Sequence, residues 1–241
     1  MNTAPSPEPE AKRRDPDESV LLQRIREDFP EIRWRNHRYL THGWDHAVLV
    51  LDERIIFRTP KDPRDAGEMQ NEIGLLRHLK GRVRVGIPDY RYFSEDGIIA
   101  GYGMLPGQEL TVQVFERLAV DEKTLLAANL ADFLSVLHST PDEVSQRLKT
   151  RTEDPREVNA ELRANCEELL RARLSEDEFD TIRDHLDELD ELLADDSRRV
   201  LTHSDLTGEH ILWDGRNNAV NIIDFADRSL TDPAIDFAGL L

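Results

Sequence analysis

Residues 201 to 227 read Leu-Thr-His-Ser-Asp-Leu-Thr-Gly-Glu-His-Ile-Leu-Trp-Asp-Gly-Arg-Asn-Asn-Ala-Val-Asn-Ile-Ile-Asp-Phe-Ala-Asp, and their pattern decides the fold. Two polar clusters lie against two short apolar segments. His203 and Asp205 follow Arg-Val-Leu-Thr, His210 opens Ile-Leu-Trp, Asp214-Gly215 turns the chain, and Ala-Val-Asn-Ile-Ile runs into Asp224. Carboxylates are thereby placed at strand ends, where they can converge. Asp is also a common turn and cap residue, and one Asp-Gly hairpin would carry little weight. Six polar residues at this spacing within an otherwise apolar stretch are a far more specific signal.

The order His-x-Asp, a downstream polar ligand, a hairpin and Asp-Phe is similar to the catalytic and metal loops of protein kinases. Asp227 and the run Asp232-Pro233-Ala234-Ile235-Asp236-Phe237 shift the likeness to small-molecule kinases, and the chain resembles the aminoglycoside phosphotransferase family over about residues 36 to 241. That resemblance implies a two-lobed α+β, protein-kinase-like fold, with a small β-rich N-lobe carrying one key helix and a larger, mainly helical C-lobe. It implies transfer of the γ-phosphate of ATP or GTP to a hydroxyl of an aminoglycoside-type small molecule. Asp205 would orient the hydroxyl and accept its proton; Asp224 and His210 would hold Mg²⁺. The chemistry of the residues agrees, since phosphoryl transfer needs a carboxylate at the hydroxyl and hard ligands for the metal. His210 departs from the usual Asn, and imidazole is a less common Mg²⁺ ligand than oxygen.

Charge sets the partner class. Lys and Arg number 31 against 49 Asp and Glu, a net charge of −18, which argues against nucleic acid and membrane surfaces as partners and favours a cationic substrate. Half of that excess falls in residues 142 to 199, with 19 acids against 10 bases, as expected of solvated helix faces. A single cysteine, Cys166, excludes an internal disulfide. The first 18 residues are Pro-rich and charged, with no apolar core of a signal sequence, so a cytoplasmic location is expected.

From the N-terminus, residues 1–16 read as a disordered tail, 17–106 as the nucleotide-binding lobe and 107–241 as the catalytic lobe. Asp17 can cap a helix with Leu21, Ile25 and Phe29 on one face, ended by Pro30. Strands are expected at Tyr39-Leu40, Ala47–Leu51 and 55–58, with a phosphate-covering loop whose one glycine is Gly43. Phe57-Arg58-Thr59-Pro60 resembles the family's phosphate-pairing strand, with Arg58 where kinases carry Lys. A helix from Asp62-Pro63 has Met69, Ile73, Leu76 and Leu79 inward. Glu72 flanks that stripe, placed to pair with Arg58. Residues 86 to 104 read as a hairpin, and Met104-Leu105-Pro106-Gly107 as a hinge where Met104 would meet the nucleotide base.

Helices are then expected with Leu126, Leu130, Phe133, Leu134 and Leu137 inward; with Val158, Leu162, Cys166 and Leu169 inward; and after a Ser175 to Glu178 capping box, with Phe179, Ile182, Leu186, Leu189 and Leu193 inward. His138 and His185 read as structural or surface residues. The chain stops at Leu241, earlier after Asp236 than the resemblance would suggest, so a shortened substrate site or an inactive nucleotide-binding homologue is an alternative. A kinase of another metabolite or of a macrolide is a further one.

Overall fold

The structure is a computed structural model and describes residues 15–41, 45–192 and 199–240. The expected tail, apart from its last two residues, together with Gly43 and Leu193, lies outside the described residues. The chain forms two compact units, one comprising residues up to Ile73 with Pro88–Met104, the other Gly74–Ile87 with Leu105–Leu241.

In the first unit, helix α1 (Glu18–Asp28) begins where the Asp17 carboxylate accepts from the Ser19 and Val20 N–H groups, satisfying donors that have no intrahelical partner. Strands β1 (His37–Leu40), β2 (His46–Leu51) and β3 (Ile55–Pro60) follow. A one-turn 3₁₀ segment at Pro63–Asp65 precedes α2 (Ala66–Leu79), so the helix starts later than the Asp62-Pro63 signal suggested. Strands β4 (Tyr90–Phe93) and β5 (Ala100–Gly103) complete an antiparallel sheet of order β1-β2-β3-β5-β4. The hairpin is thus shorter than residues 86 to 104, because Gly86 belongs to the second unit, where it bridges Asn221.

Strand alternation divides the duties of β3. Phe57 joins Leu21, Leu22, Ile25 and Phe29 in one core with Leu49, Leu51 and Ile99, its ring 5.0 Å from that of Phe29. Each such buried side chain contributes about 1.5–3 kcal/mol. Arg58, pointing the other way, meets Glu72 of α2, whose Met69 and Ile73 are buried beside it as expected.

The second unit contains β6 (Gln108–Glu109), α3 (Val112–Arg117), α4 (Val120–His138), α5 (Asp142–Arg147), β7 (Arg151–Thr152), α6 (Pro155–Leu169), α7 (Glu176–Leu192), β8 (Val200–Thr202), β9 (Ile211–Asp214), β10 (Ala219–Ile222), β11 (Ser229–Thr231) and α8 (Ile235–Ala238). Its two small sheets have the orders β10-β9-β6 and β7-β11-β8. All five expected inward residues of α4 are buried, and the Ser175 to Glu178 capping box forms, with Ser175 N–H donating to Glu178 at 2.9 Å.

The α6 expectation is corrected. Val158, Leu162 and Leu169 are 54, 47 and 52% exposed; Cys166 is buried as expected, and the residue that joins it is Asn159. The cause lies in α7: Asn159 donates to the Leu186 carbonyl, and Arg163 pairs with Asp187 and Asp190 at 2.8 and 2.7 Å. These polar ties rotate α6 away from its apolar stripe. Leu189 is likewise 37% exposed. Among the described residues, no helix is long and apolar enough to cross a membrane.

Candidate active site

Two loops of the second unit carry the polar residues singled out in the sequence. The first, between β8 and β9, runs from His203 to His210; the second follows β10 and contains Asp224. They are joined through backbone: Ile223 N–H donates to the His210 carbonyl at 3.0 Å, and the buried His203 ring donates through Nε2 to the Ile223 carbonyl at 3.1 Å. That bond places the His203 proton on Nε2. Burial lowers the pKa of His203, the neighbouring Asp236 only partly opposing it, so the ring is held neutral. It packs 4.7 Å from the Phe225 ring, and Phe225 packs 6.1 Å from Phe133 of α4.

Each loop turns at a non-glycine residue in the left-handed region, Ser204 at φ 68° and Asp224 at φ 62°. Such conformations persist where surrounding bonds over-determine them. For Ser204 those bonds come from buried Asp236, which accepts from the His203 and Ser204 N–H groups at 3.1 and 2.8 Å and from His138 Nε2 at 2.9 Å. The Ser204 hydroxyl also bonds those of Thr202 and Ser229, both at 2.8 Å. Beyond Asp224, the buried Arg228 donates to the Phe225 and Ala226 carbonyls.

Gly208 lets the first loop lie against the chain beyond β6. A Cβ there would stand 2.4 Å from the Leu110 carbonyl oxygen, while the Leu110 N–H donates to Gly208 and Ile211 carbonyls.

The result brings three side chains together. His210 Nδ1 donates to the Asp205 backbone carbonyl at 2.7 Å and lies 3.4 Å from the Asp205 carboxylate, while its Nε2 lies 3.8 Å from the Asp224 carboxylate. With Nδ1 donating to that carbonyl, Nε2 is the ring nitrogen on the Asp224 side. Asp205 and Asp224 side chains are 42 and 44% exposed, open to ligands. No group of three or more His, Cys, Asp or Glu among the described residues is arranged to hold a metal by itself. The Asp224 carboxylate suits Mg²⁺, an ion commonly held by one or two carboxylates together with substrate phosphates and water, while the His210 imidazole is a less common ligand for it.

In the first unit, Arg58 Nη1 donates to Glu72 at 2.7 Å, with the two side chains only 8 and 1% exposed. Met104 follows β5, and its N–H is committed to the Arg54 carbonyl at 2.8 Å.

The sequence reading missed the parts Arg228, Ser229 and Thr202 play in the loops, and gave His138 no partner. Only Arg228 carried a signal, a charge between Asp227 and the apolar Leu230 segment. Replacing Asp236 with Ala strands three donors at a cost of about 1–3 kcal/mol for a buried group left unpaired. Asp236→Ala is expected to lower the melting temperature by about 2–4 °C per kcal/mol and to reduce activity. An unchanged melting temperature would count against this role.

Residues 36–241 match the family described as "Phosphotransferase enzyme family". The chain is similar to wild-type aminoglycoside 2'-phosphotransferase-IIIa, solved with GDP, at 27% identity over 94% of this chain and 78% of that one, with a TM-score of 0.83. It is similar to APH(2")-IIia, solved with GDP and kanamycin, at 27% identity over 93% and 78%, with a TM-score of 0.82. Macrolide 2'-phosphotransferase type I, at 21% identity over 92% and 75% and a TM-score of 0.63, shares the fold. The two-loop site thus sits in the α+β, kinase-like fold of small-molecule phosphotransferases, and the chain belongs to the phosphotransferase enzyme family.

Proposed function

We propose that the chain transfers the γ-phosphate of ATP or GTP to a hydroxyl of an aminoglycoside-type small molecule. The observation that carries this reading is the placing of two partly exposed carboxylates, Asp205 and Asp224, on either side of the His210 ring. Asp205 accepts the hydroxyl proton as the oxygen attacks the γ-phosphorus; the new O–P bond forms as the bond to the β-phosphate oxygen breaks, releasing nucleoside diphosphate. Asp224 is the main Mg²⁺ ligand, with His210 Nε2 the second. Bound there, Mg²⁺ supplies charge neutralisation to the phosphates.

Arg58 pairs with nucleotide phosphate and Glu72 holds it. Gly43, outside the described residues, is assigned to nucleotide binding in the same reading. Met104 serves the nucleotide base through its carbonyl, because its N–H is already spent on Arg54. The net charge of −18 suits a cationic acceptor and disfavours nucleic acid. The kanamycin bound to APH(2")-IIia supports the same substrate class.

The test is a turnover screen of aminoglycosides, macrolides and small amino alcohols, with ATP and GTP in parallel. Aminoglycoside-dependent release of nucleoside diphosphate is expected; turnover confined to another acceptor class would refute the substrate assignment. For the metal, Asp224→Asn should weaken Mg²⁺-nucleotide affinity roughly tenfold or more, the scale seen when a metal site loses support, and leave metal-free nucleotide affinity unchanged. Equal Mg²⁺-nucleotide affinities in variant and parent would sink that assignment. His210→Asn, which supplies an oxygen ligand, should be tolerated.

A further inference from the structure

Glu72 is not the sole partner of the Arg58 guanidinium. Nη1 also donates to the Tyr90 hydroxyl at 3.1 Å, and Nη2 donates to His46 Nδ1 at 3.1 Å. All four side chains are buried, and they come from four elements: Arg58 from β3, Glu72 from α2, Tyr90 from the start of β4 and His46 from the start of β2. Glu72 brings the opposite charge. The other two are neutral acceptors, so what they add is direction.

The His46 bond requires a lone pair on Nδ1, which fixes a neutral ring with its proton on Nε2. Burial raises the Tyr90 hydroxyl pKa well above its ordinary value, with Arg58 pulling the other way, so the phenol remains protonated and accepts from Nη1. A planar guanidinium presents donors in a fixed fork and can meet partners on different sides at once; an ammonium is a point charge on a flexible stem.

We propose that His46 and Tyr90 are positioning residues that, with Glu72, lock the plane of the Arg58 guanidinium for nucleotide phosphate, and that this lock is what calls for Arg at position 58. The inference rests on the reading that Arg58 pairs with phosphate.

The experiment compares Tyr90→Phe, His46→Leu, His46→Asn and Arg58→Met. For each, the measurements are KM for the nucleoside triphosphate, kcat, affinity for the nucleoside without phosphates, and melting temperature. Tyr90→Phe removes one hydroxyl and keeps the ring that packs 4.8 Å from Tyr102. Asn can place its Oδ1 where Nδ1 of His46 stands, whereas Leu offers no acceptor. Tyr90→Phe and His46→Leu should each raise the triphosphate KM about tenfold, the scale of one hydrogen bond to a charged group. Nucleoside affinity should not change, and His46→Asn should restore most of the loss.

If Arg58→Met raises the triphosphate KM while Tyr90→Phe and His46→Leu do not, the positioning inference is overturned and the phosphate reading stands. If Arg58→Met itself leaves that KM unmoved, the phosphate reading fails, and the inference with it. Parallel losses of nucleoside and triphosphate affinity with a lowered melting temperature would assign His46 and Tyr90 a purely structural role and overturn the inference.

Discussion

Asp205→Asn is expected to lower kcat by about 10²- to 10⁴-fold, the range for removal of a general base, while nucleotide affinity and melting temperature stay at parent values. The structure makes this a clean substitution. The hydrogen bond that ties Asp205 to His210 runs from Nδ1 to the Asp205 backbone carbonyl at 2.7 Å, so it survives a change of side chain. The loop on either side is fixed by other groups: Asp236 holds the His203 and Ser204 N–H groups, and the Thr207 N–H donates to the Asp205 carbonyl at 3.0 Å. The carboxylate itself is partly exposed, and Asn matches its shape. A loss of transfer would therefore reflect proton acceptance and hydroxyl orientation. Phosphate transfer by the variant at the parent rate would remove Asp205 from the proposed mechanism.

Why this site could be read from sequence at all is a matter of spacing. Asp205, His210 and Asp224 sit within one hairpin of local chain, so fixed offsets place them at strand ends, and local geometry nearly suffices to bring them together. Asp236 was legible only through the resemblance, whose pattern implies a carboxylate downstream of the second loop that accepts from the backbone of the first. His138 was not: 98 residues separate it from Asp236, and no periodic pattern reports a contact of that span.

The same limit explains α6. Its apolar residues follow a helical period that predicts burial, yet Asn159, Arg163 and their partners on α7 set the rotation of the helix. Periodicity records which face is apolar and says nothing of a polar partner that outcompetes it. Helices α3 and α5 and strands β6 and β7 were too short to show a period. In the first unit, alternation along Ile-Ile-Phe-Arg puts Phe57 and Arg58 on opposite faces, because a strand's period of two needs only adjacent residues. It could not foresee His46 and Tyr90, which arrive from other strands.

Glu72→Gln is expected to reduce kcat/KM by about 10²-fold, the scale of a misplaced reacting or binding group, and the double variant with Arg58→Lys should be scarcely worse than either single one. Burial decides the design of this test. A solvent-exposed pair would be worth roughly 0–1 kcal/mol, and losing it would hardly alter turnover. Here the side chains are 8 and 1% exposed, and removing one partner of a buried pair costs about 3–5 kcal/mol by leaving a charge uncompensated. Alanine variants would mix that stability loss with the loss of function. Gln keeps the length of Glu72 and an oxygen acceptor for Arg58 Nη1 although it leaves the charge unbalanced, and Lys keeps the charge at position 58, so each change disturbs the site less than alanine would. Tyr90 and His46 remain as acceptors in Glu72→Gln, which further protects the guanidinium from being stranded. If the pair acts as one device on the triphosphate, breaking it from either side removes the same function, and the second change has little left to remove. Losses in kcat/KM that multiply in the double variant would show two independent residues, and the phosphate-pairing reading of Arg58 and Glu72 would have to be given up.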